Sequence, residues 1–190
     1  MIHGIAKSAA GWLTKTGAVS EEDAPAYEYV VFRAIFTVIP LLITLVIATV
    51  MKMTTEGILM IVPFIMIRRF CGGIHLDSPV ICFISSVATL VAILFAIKLF
   101  INYQIKVPTS IMTAVSAVSI MAIGTVESKN RPLSASERRV FSRISRVLCA
   151  LALSVFTALM LGGNVKCAVP IGMGLFLTAA LQVIGRFWSD

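Results

Sequence analysis

The segment R-R-F-C-G-G-I-H-L-D-S-P-V-I-C, residues 68–82, places a histidine between two cysteines in a chain that is otherwise strongly apolar. A thiol beside an imidazole is an activated nucleophile: the ring takes the S–H proton and the sulfur attacks a carbonyl carbon. Along a straight helix His75 and Cys82 would stand about 10.5 Å apart, at ~1.5 Å per residue, so the pair requires a bend. Gly72-Gly73 frees the backbone, and Pro79 stops any incoming helix before it. Asp77-Ser78-Pro79 then reads as a helix start, a capping side chain followed by Pro at the first helical position. Cys82 falls within the first turn or so of that helix, where free amides and the positive dipole end stabilise negative charge on sulfur. His75 lies just outside, where the chain can fold it back over Cys82.

The remaining residues of the segment have two readings each. Cys71 is the rival nucleophile, but it precedes the glycines and has no helix start behind it. Asp77 either caps the helix or orients the imidazole. Arg68 and Arg69 serve as positive anchors at a membrane face, with Arg68 also a supporting group for the reaction. Backbone amides near Gly72 and Gly73, or at the helix start, are candidates to hold an oxyanion. Cys149 and Cys167 complete the four cysteines, whose spacing suggests neither a disulfide framework nor a metal site. There is no H-E-x-x-H, and His3 and His75 are the only histidines, so no metal or other cofactor is expected.

The elements that must position these residues are membrane helices. Of 190 residues 58% are hydrophobic and 13% charged, and mean hydropathy is +0.98. Soluble domains carry about 25% charged residues, so a soluble protein is excluded, and no nucleic acid is expected as a partner. The fold class expected is an all-α integral membrane protein forming one transmembrane domain over 1–190. Hydropathy gives six spans, about 30–50, 55–67, 80–100, 107–126, 144–162 and 168–187. The second is short and expected to be broken at Pro63, and it leaves the polar segment after it recessed in the membrane, where irregular backbone must line a cavity or be buried. Residues 1–29 read as an amphipathic cytoplasmic segment, in which Ile2, Ile5, Ala6, Ala9, Trp12 and Leu13 make the apolar stripe of an interfacial helix, with a frayed terminus the alternative because Gly4 and Gly11 weaken a helix. Thr109, Thr113, Ser116 and Ser119 recur along the fourth span as a packing face, with a dimer contact the other fit.

Cations collect between the fourth and fifth spans: Lys129, Arg131, Arg138, Arg139, Arg143 and Arg146. The positive-inside rule puts this basic loop, 127–143, in the cytoplasm. Six spans then place both termini and Arg68–Arg69 on the same side. Ser134-Ala135-Ser136-Glu137 is a capping-box pattern opening a helix on which Arg139, Arg143 and Arg146 share a face suited to anionic lipid headgroups.

The pattern R-x-x-x-x-G-x-H-x-x-x-x-x-x-C resembles the signature of the accessory gene regulator B (AgrB) family, membrane endopeptidases of Gram-positive quorum sensing. The family's arginine, glycine, histidine and cysteine fall on Arg68, Gly73, His75 and Cys82. T-V-E-S-K-N-R-P-L, residues 125–133, resembles a second family loop with a basic pair, here Lys129 and Arg131. Gly124-Thr125 stands where the family usually has Ala-Pro. The resemblance implies a bacterial cytoplasmic-membrane enzyme whose catalytic His75 and Cys82 face the cytoplasm and act on an AgrD-type precursor peptide. It implies cleavage before the precursor's acidic tail through an enzyme thioester, then closure of a thiolactone or lactone ring, with Lys129 and Arg131 receiving the tail. It also makes a homodimer plausible. The contrasting function is a non-enzymatic binder or exporter of an amphipathic peptide.

Overall fold

The computed structural model describes residues 22–73, 78–126 and 134–188, together with residues 8, 11, 12, 14, 16 and 20. Most of the expected interfacial helix therefore lies outside the described residues. From residue 22 onward the described residues form six helices: α1 Ala24–Val50, α2 Thr54–Cys71, α3 Pro79–Asn102, α4 Lys106–Ile123, α5 Ala135–Leu161 and α6 Val165–Trp188. Three connections, 51–53, 103–105 and 162–164, are so short that α1/α2, α3/α4 and α5/α6 must run antiparallel. Each is closed by backbone bonds, such as Met53 N–H to Ala48 O at 2.7 Å and Asn164 N–H to Leu159 O at 2.9 Å.

Four helical stretches are long and apolar enough to cross a membrane: Val80–Asn102, Lys106–Ile123, Ala135–Leu161 and Val165–Phe187. The protein is thus a helical membrane protein. α1 contributes a shorter apolar stretch, Ala34–Val50, and α2 carries Glu56, Arg68 and Arg69 within its 18 residues. The second element differs from the sequence expectation. Pro63 does not break it, and the helix runs on through Arg68 and Arg69 to Cys71. Arginine is a good helix former, and cations in a last turn complement the helix dipole.

α6 is the centre of the bundle, packed against α2, α3, α4 and α5, while α1 lies outside on α2 and α3. In its apolar stretch 67% of residues are buried, against 17% in α3 and α5. Glycines let α6 approach its neighbours: a Cβ on Gly174 would stand 2.6 Å from Met60 O and 3.3 Å from Pro63 Cγ. The polar stripe of α4 is a packing face within the chain. Thr109, Thr113 and Ser116 are buried, and their hydroxyls return to carbonyls of their own turn, Thr113 to Thr109 O at 2.8 Å and Ser116 to Met112 O at 2.7 Å. Thr113 Oγ1 occupies the space that a side chain on Gly172 would fill.

At the end of the bundle where α2 and α6 begin, Lys166 Nζ lies 3.3 Å from Glu56 Oε1, with the carboxylate side chain 5% exposed and the lysine 69% exposed. Removing the lysine strands a buried charge, whereas Glu56→Gln removes the charge that needs it. Lys166→Ala is therefore expected to destabilise the protein by about 2 kcal/mol and Glu56→Gln by clearly less, measured by thermal denaturation in detergent.

Candidate functional site

α3 starts where the sequence places it. Ser78 is extended, with ψ 117°, and Pro79 opens the helix. Cys82 N–H donates to Ser78 O at 3.0 Å, closing the first turn. The Ser78 side chain makes no capping bond, so its expected role as a side-chain cap is not seen. Val80 and Ile81 carry first-turn amides, which have no acceptor within the helix. Cys82 is half-buried here. His75 and Asp77 lie outside the described residues.

All four cysteines are free thiols, and their surroundings separate them. Cys71, the last residue of α2, is wholly buried, and its thiol reaches only Gly72 O, at 3.5 Å. It lies beyond the apolar run 55–67. Burial pushes its thiol up to about 12, with the Arg68 guanidinium pulling the other way. Cys149 is wholly buried in the same cluster with Ile67, Ile120 and Leu175. Cys167 sits in the first turn of α6, at the far end of the bundle. Cys82 is the thiol that combines partial exposure with the polar end of α2.

Arg68 lies on the last turn of α2, with its guanidinium carbon 5.8 Å from the centroid of the Phe64 ring. Its charge interacts with the sulfurs of both Cys71 and Cys82. Gly72 and Gly73 turn the chain out of α2 at φ +75° and +148°. Gly72 at ψ −156° is in a region essentially restricted to glycine. A Cβ there would collide with Val126 O, and one on Gly73 would stand 2.5 Å from Arg68 Nη1. Gly72 N–H is committed to Arg68 O at 3.1 Å, which removes it from the oxyanion candidates.

The structure also ties this corner to the chain that follows α4. Val126 N–H donates to Cys71 O at 2.9 Å, and Thr125 Oγ1 donates to Phe70 O at 3.0 Å. These are among the last carbonyls of α2, which have no partner within the helix. Thr125 N–H donates to Ser142 Oγ at 3.0 Å, and Ser142 Oγ donates back to Thr125 Oγ1 at 3.1 Å. Gln182 of α6, wholly buried, donates its Nε2 proton to Gly124 O. Phe70 meets Phe141 edge to face, centroids 5.7 Å apart. Thr125, Ser142 and Gln182 carry no sequence signal of their own. Thr125 opens the second motif, but the basic pair of that motif drew the attention.

Lys129 and Arg131 lie outside the described residues. The capping box is present as read: Ser134 N–H to Glu137 Oε2 at 2.9 Å and Glu137 N–H to Ser134 Oγ at 3.2 Å. Arg139, Arg143 and Arg146 are exposed on the first turns of α5. Arg146 Nε donates to Met121 O at 3.0 Å, so this arginine also fastens α5 to the end of α4. The hydrogen bonds thus gather the ends of α2, α4 and α6 and the start of α5 at one end of the bundle, as an even number of crossings between them requires.

A helical membrane protein with a half-buried thiol in the first turn of a helix, near an arginine and a glycine corner, is the class these observations define. The accessory gene regulator B (AgrB) family model matches residues 6–185, and the chain belongs to that family. The family functions in the processing of autoinducing peptides for quorum sensing, on AgrD-type precursors. No curated protein and no solved structure matches the chain.

Proposed function

We propose that the protein is a membrane-embedded cysteine endopeptidase and cyclase in which Cys82 is the nucleophile and His75 its base. Cys82 sulfur attacks the carbonyl carbon of the peptide bond before the precursor's acidic tail, and His75 takes the thiol proton. The C–N bond breaks, His75 returns the proton to the departing amine, and the precursor stays joined to Cys82 as a thioester. The precursor's own cysteine sulfur, or a serine oxygen, then attacks that thioester. Its proton passes through His75 to the released Cys82 sulfur as the ring closes. Exchange of one thioester for another is nearly even in energy, so the enzyme thioester formed in the first step makes ring closure feasible in the second.

The observation that carries this reading is the difference among the thiols. Cys82 is the one at the polar end that is not sealed in the core, and it lies within reach of the Arg68 charge. Lys129 and Arg131 receive the acidic tail, and exposed Arg139, Arg143 and Arg146 rest on anionic headgroups at the cytoplasmic face. A site at that interface meets an amphipathic precursor already lying on the bilayer and keeps water from the thioester.

The test is intact-mass spectrometry of the protein in lipid after mixing with a precursor. The expected result is a mass increase equal to the tail-free precursor less one water, mapped to Cys82 by proteolysis and released by hydroxylamine. Tight binding of the precursor with no adduct and no tail release identifies a binder or exporter and overturns the proposal.

A further inference from the structure

Residues 103–105 join α3 to α4, yet the two helices do not pack along each other: α3 lies on α1 and α6, and α4 on α5 and α6. α6 is therefore the floor between them, and burial along it shows where the gap opens. Val169, Met173, Phe176, Ala180 and Phe187 recur at helical spacing on one side of α6. Val169 and Met173 are buried in a cluster with Leu90, Leu94 and Ile97 of α3. Phe176 is 37% exposed and Phe187 80%, with Ala180 half-buried between them. α3 changes at the same depth, since no residue from Val80 to Thr89 is buried and burial begins at Leu90. α3 and α4 thus bound a crevice that is closed at the end where α6 begins and open to the membrane at the other end.

Cys82 stands on the α3 wall of this crevice. Cys82, Ser86 and Thr89 share one face of α3, about a quarter turn from Phe83, whose ring meets Phe36 of α1 edge to face at 6.0 Å. That face turns away from α1 towards α6, in agreement with the Arg68 charge reaching Cys82 from α2. Hydroxyls elsewhere in the bundle donate to the carbonyl four residues back, as those of Thr113, Ser116, Thr157 and Thr178 do. Ser86 and Thr89 are half-buried and make no hydrogen bond with any described residue. Nor does Ser119 on the opposite wall, seven residues beyond Met112, which packs on the α3 cluster. An unpaired hydroxyl in hydrocarbon is costly, and Thr89 is the eleventh of the 24 residues of α3, near mid-membrane.

The occupant of the crevice must therefore offer apolar groups to Phe176 and Ala180 and hydrogen-bonding groups to the walls. An acyl chain has only the first, and water only the second. An extended peptide has both, because its side chains leave to alternate faces and its N–H and C=O groups line its edges. We propose that Ser86 and Thr89 bind the backbone of a peptide extended along α3 from Cys82 into the membrane, and select uncharged side chains there. They stand about 6 and 10.5 Å along α3 from Cys82, at ~1.5 Å per residue. An extended chain advances ~3.3 Å per residue, so they meet residues about two and three positions before the carbonyl that Cys82 attacks. A charged side chain at those positions would enter hydrocarbon. This assignment rests on Cys82 as the nucleophile proposed above.

The test uses acetylated peptide chloromethyl ketones of one to four leucines, which alkylate a thiol with loss of chloride, on the Cys167→Ser protein in lipid nanodiscs. Labelling is mapped to Cys82 by proteolysis and mass spectrometry. Each rate is divided by that of iodoacetamide on the same variant, so a change in the thiol itself cancels. Counting from the reactive ketone, the third and fourth leucines are each expected to raise the rate about fivefold, the worth of one hydrogen bond. Ser86→Ala is expected to abolish the gain from the third residue and Thr89→Val that from the fourth, while Thr89→Ser keeps it. Aspartate in place of the third or fourth leucine is expected to remove the gain. A gain that survives in both Ser86→Ala and Thr89→Val reflects partition into lipid alone and overturns the proposal. So does a parent protein indifferent to length, as a lipid-filled crevice would be, or one labelled equally fast by the aspartate peptides, as a water-filled crevice would be. Failure of the nucleophile reading is separate, and appears as tail release that survives Cys82→Ala.

Discussion

Cys82→Ala is expected to release no tail from a co-expressed precursor, a loss of at least about 10⁴-fold, as when other covalent enzymes lose their nucleophile. Cys71→Ala is expected to keep most of the activity. The two cysteines lie eleven positions apart across a single corner, and sequence spacing alone leaves both open. Their surroundings do not. Cys71 is 0% exposed and packed among apolar side chains of α2, α4, α5 and α6. Its thiol is held in the neutral form far above physiological pH, so raising the pH from 7 to 9 recruits almost none of it. Alanine is the appropriate replacement there, because serine would bury a hydroxyl at additional cost. Cys82 has part of its surface open and the first turn of α3 behind it. Mass spectrometry of the released tail decides between them, and activity that survives Cys82→Ala while vanishing in Cys71→Ala reverses the assignment.

Features that are local in sequence were legible there. Pro79 marks the true start of α3, because a proline lacks only an amide that the first helical turn leaves unbonded anyway. Ser134 and Glu137 form the reciprocal bonds that their spacing implies, and the small polar residues of α4 pack inward as a stripe of that period must. Hydropathy was a poorer guide at the end of α2. Arg68 and Arg69 look like loop residues on an apolar scale, yet they are helical, since hydropathy reports the medium and not the backbone. The ties from Thr125 and Gln182 were illegible for a different reason. Thr125 bonds to Phe70, 55 positions away, and Gln182 to the carbonyl of Gly124, 58 positions away. Contacts of that kind have no period. They arise when a helix end with unpaired carbonyls meets whatever donors the neighbouring helices bring to the same end of the bundle. The candidate residues for chemistry are legible in the sequence, and those that tie the helix ends together beside them are not.

The adjacent glycines are expected to fail in different ways when each is replaced by alanine. At Gly72 the backbone conformation costs a non-glycine residue about 1–3 kcal/mol. The added methyl also collides with Val126 O, a backbone atom that cannot swing aside. Relief requires Val126 to retreat, which breaks its 2.9 Å bond to Cys71 O, a further ~1 kcal/mol. Gly72→Ala should therefore lose about 2–4 kcal/mol in all, lowering thermal stability and activity together. At Gly73 φ is +148°, and the nearest obstacle is Arg68 Nη1 at 2.5 Å, the mobile end of a long side chain. The guanidinium can move, so less stability is lost. It then leaves the position from which its charge acts on Cys82, and on the proposed mechanism catalysis bears the loss. Gly73→Ala should thus denature closer to the parent protein than Gly72→Ala does, while releasing tail at least about tenfold more slowly, the typical effect of a misplaced supporting group. Thermal denaturation and tail release measured on both variants separate the roles. A Gly73→Ala protein that is the less stable of the two, or one that is fully active, would show that the corner holds the fold and does not hold Arg68 for the reaction.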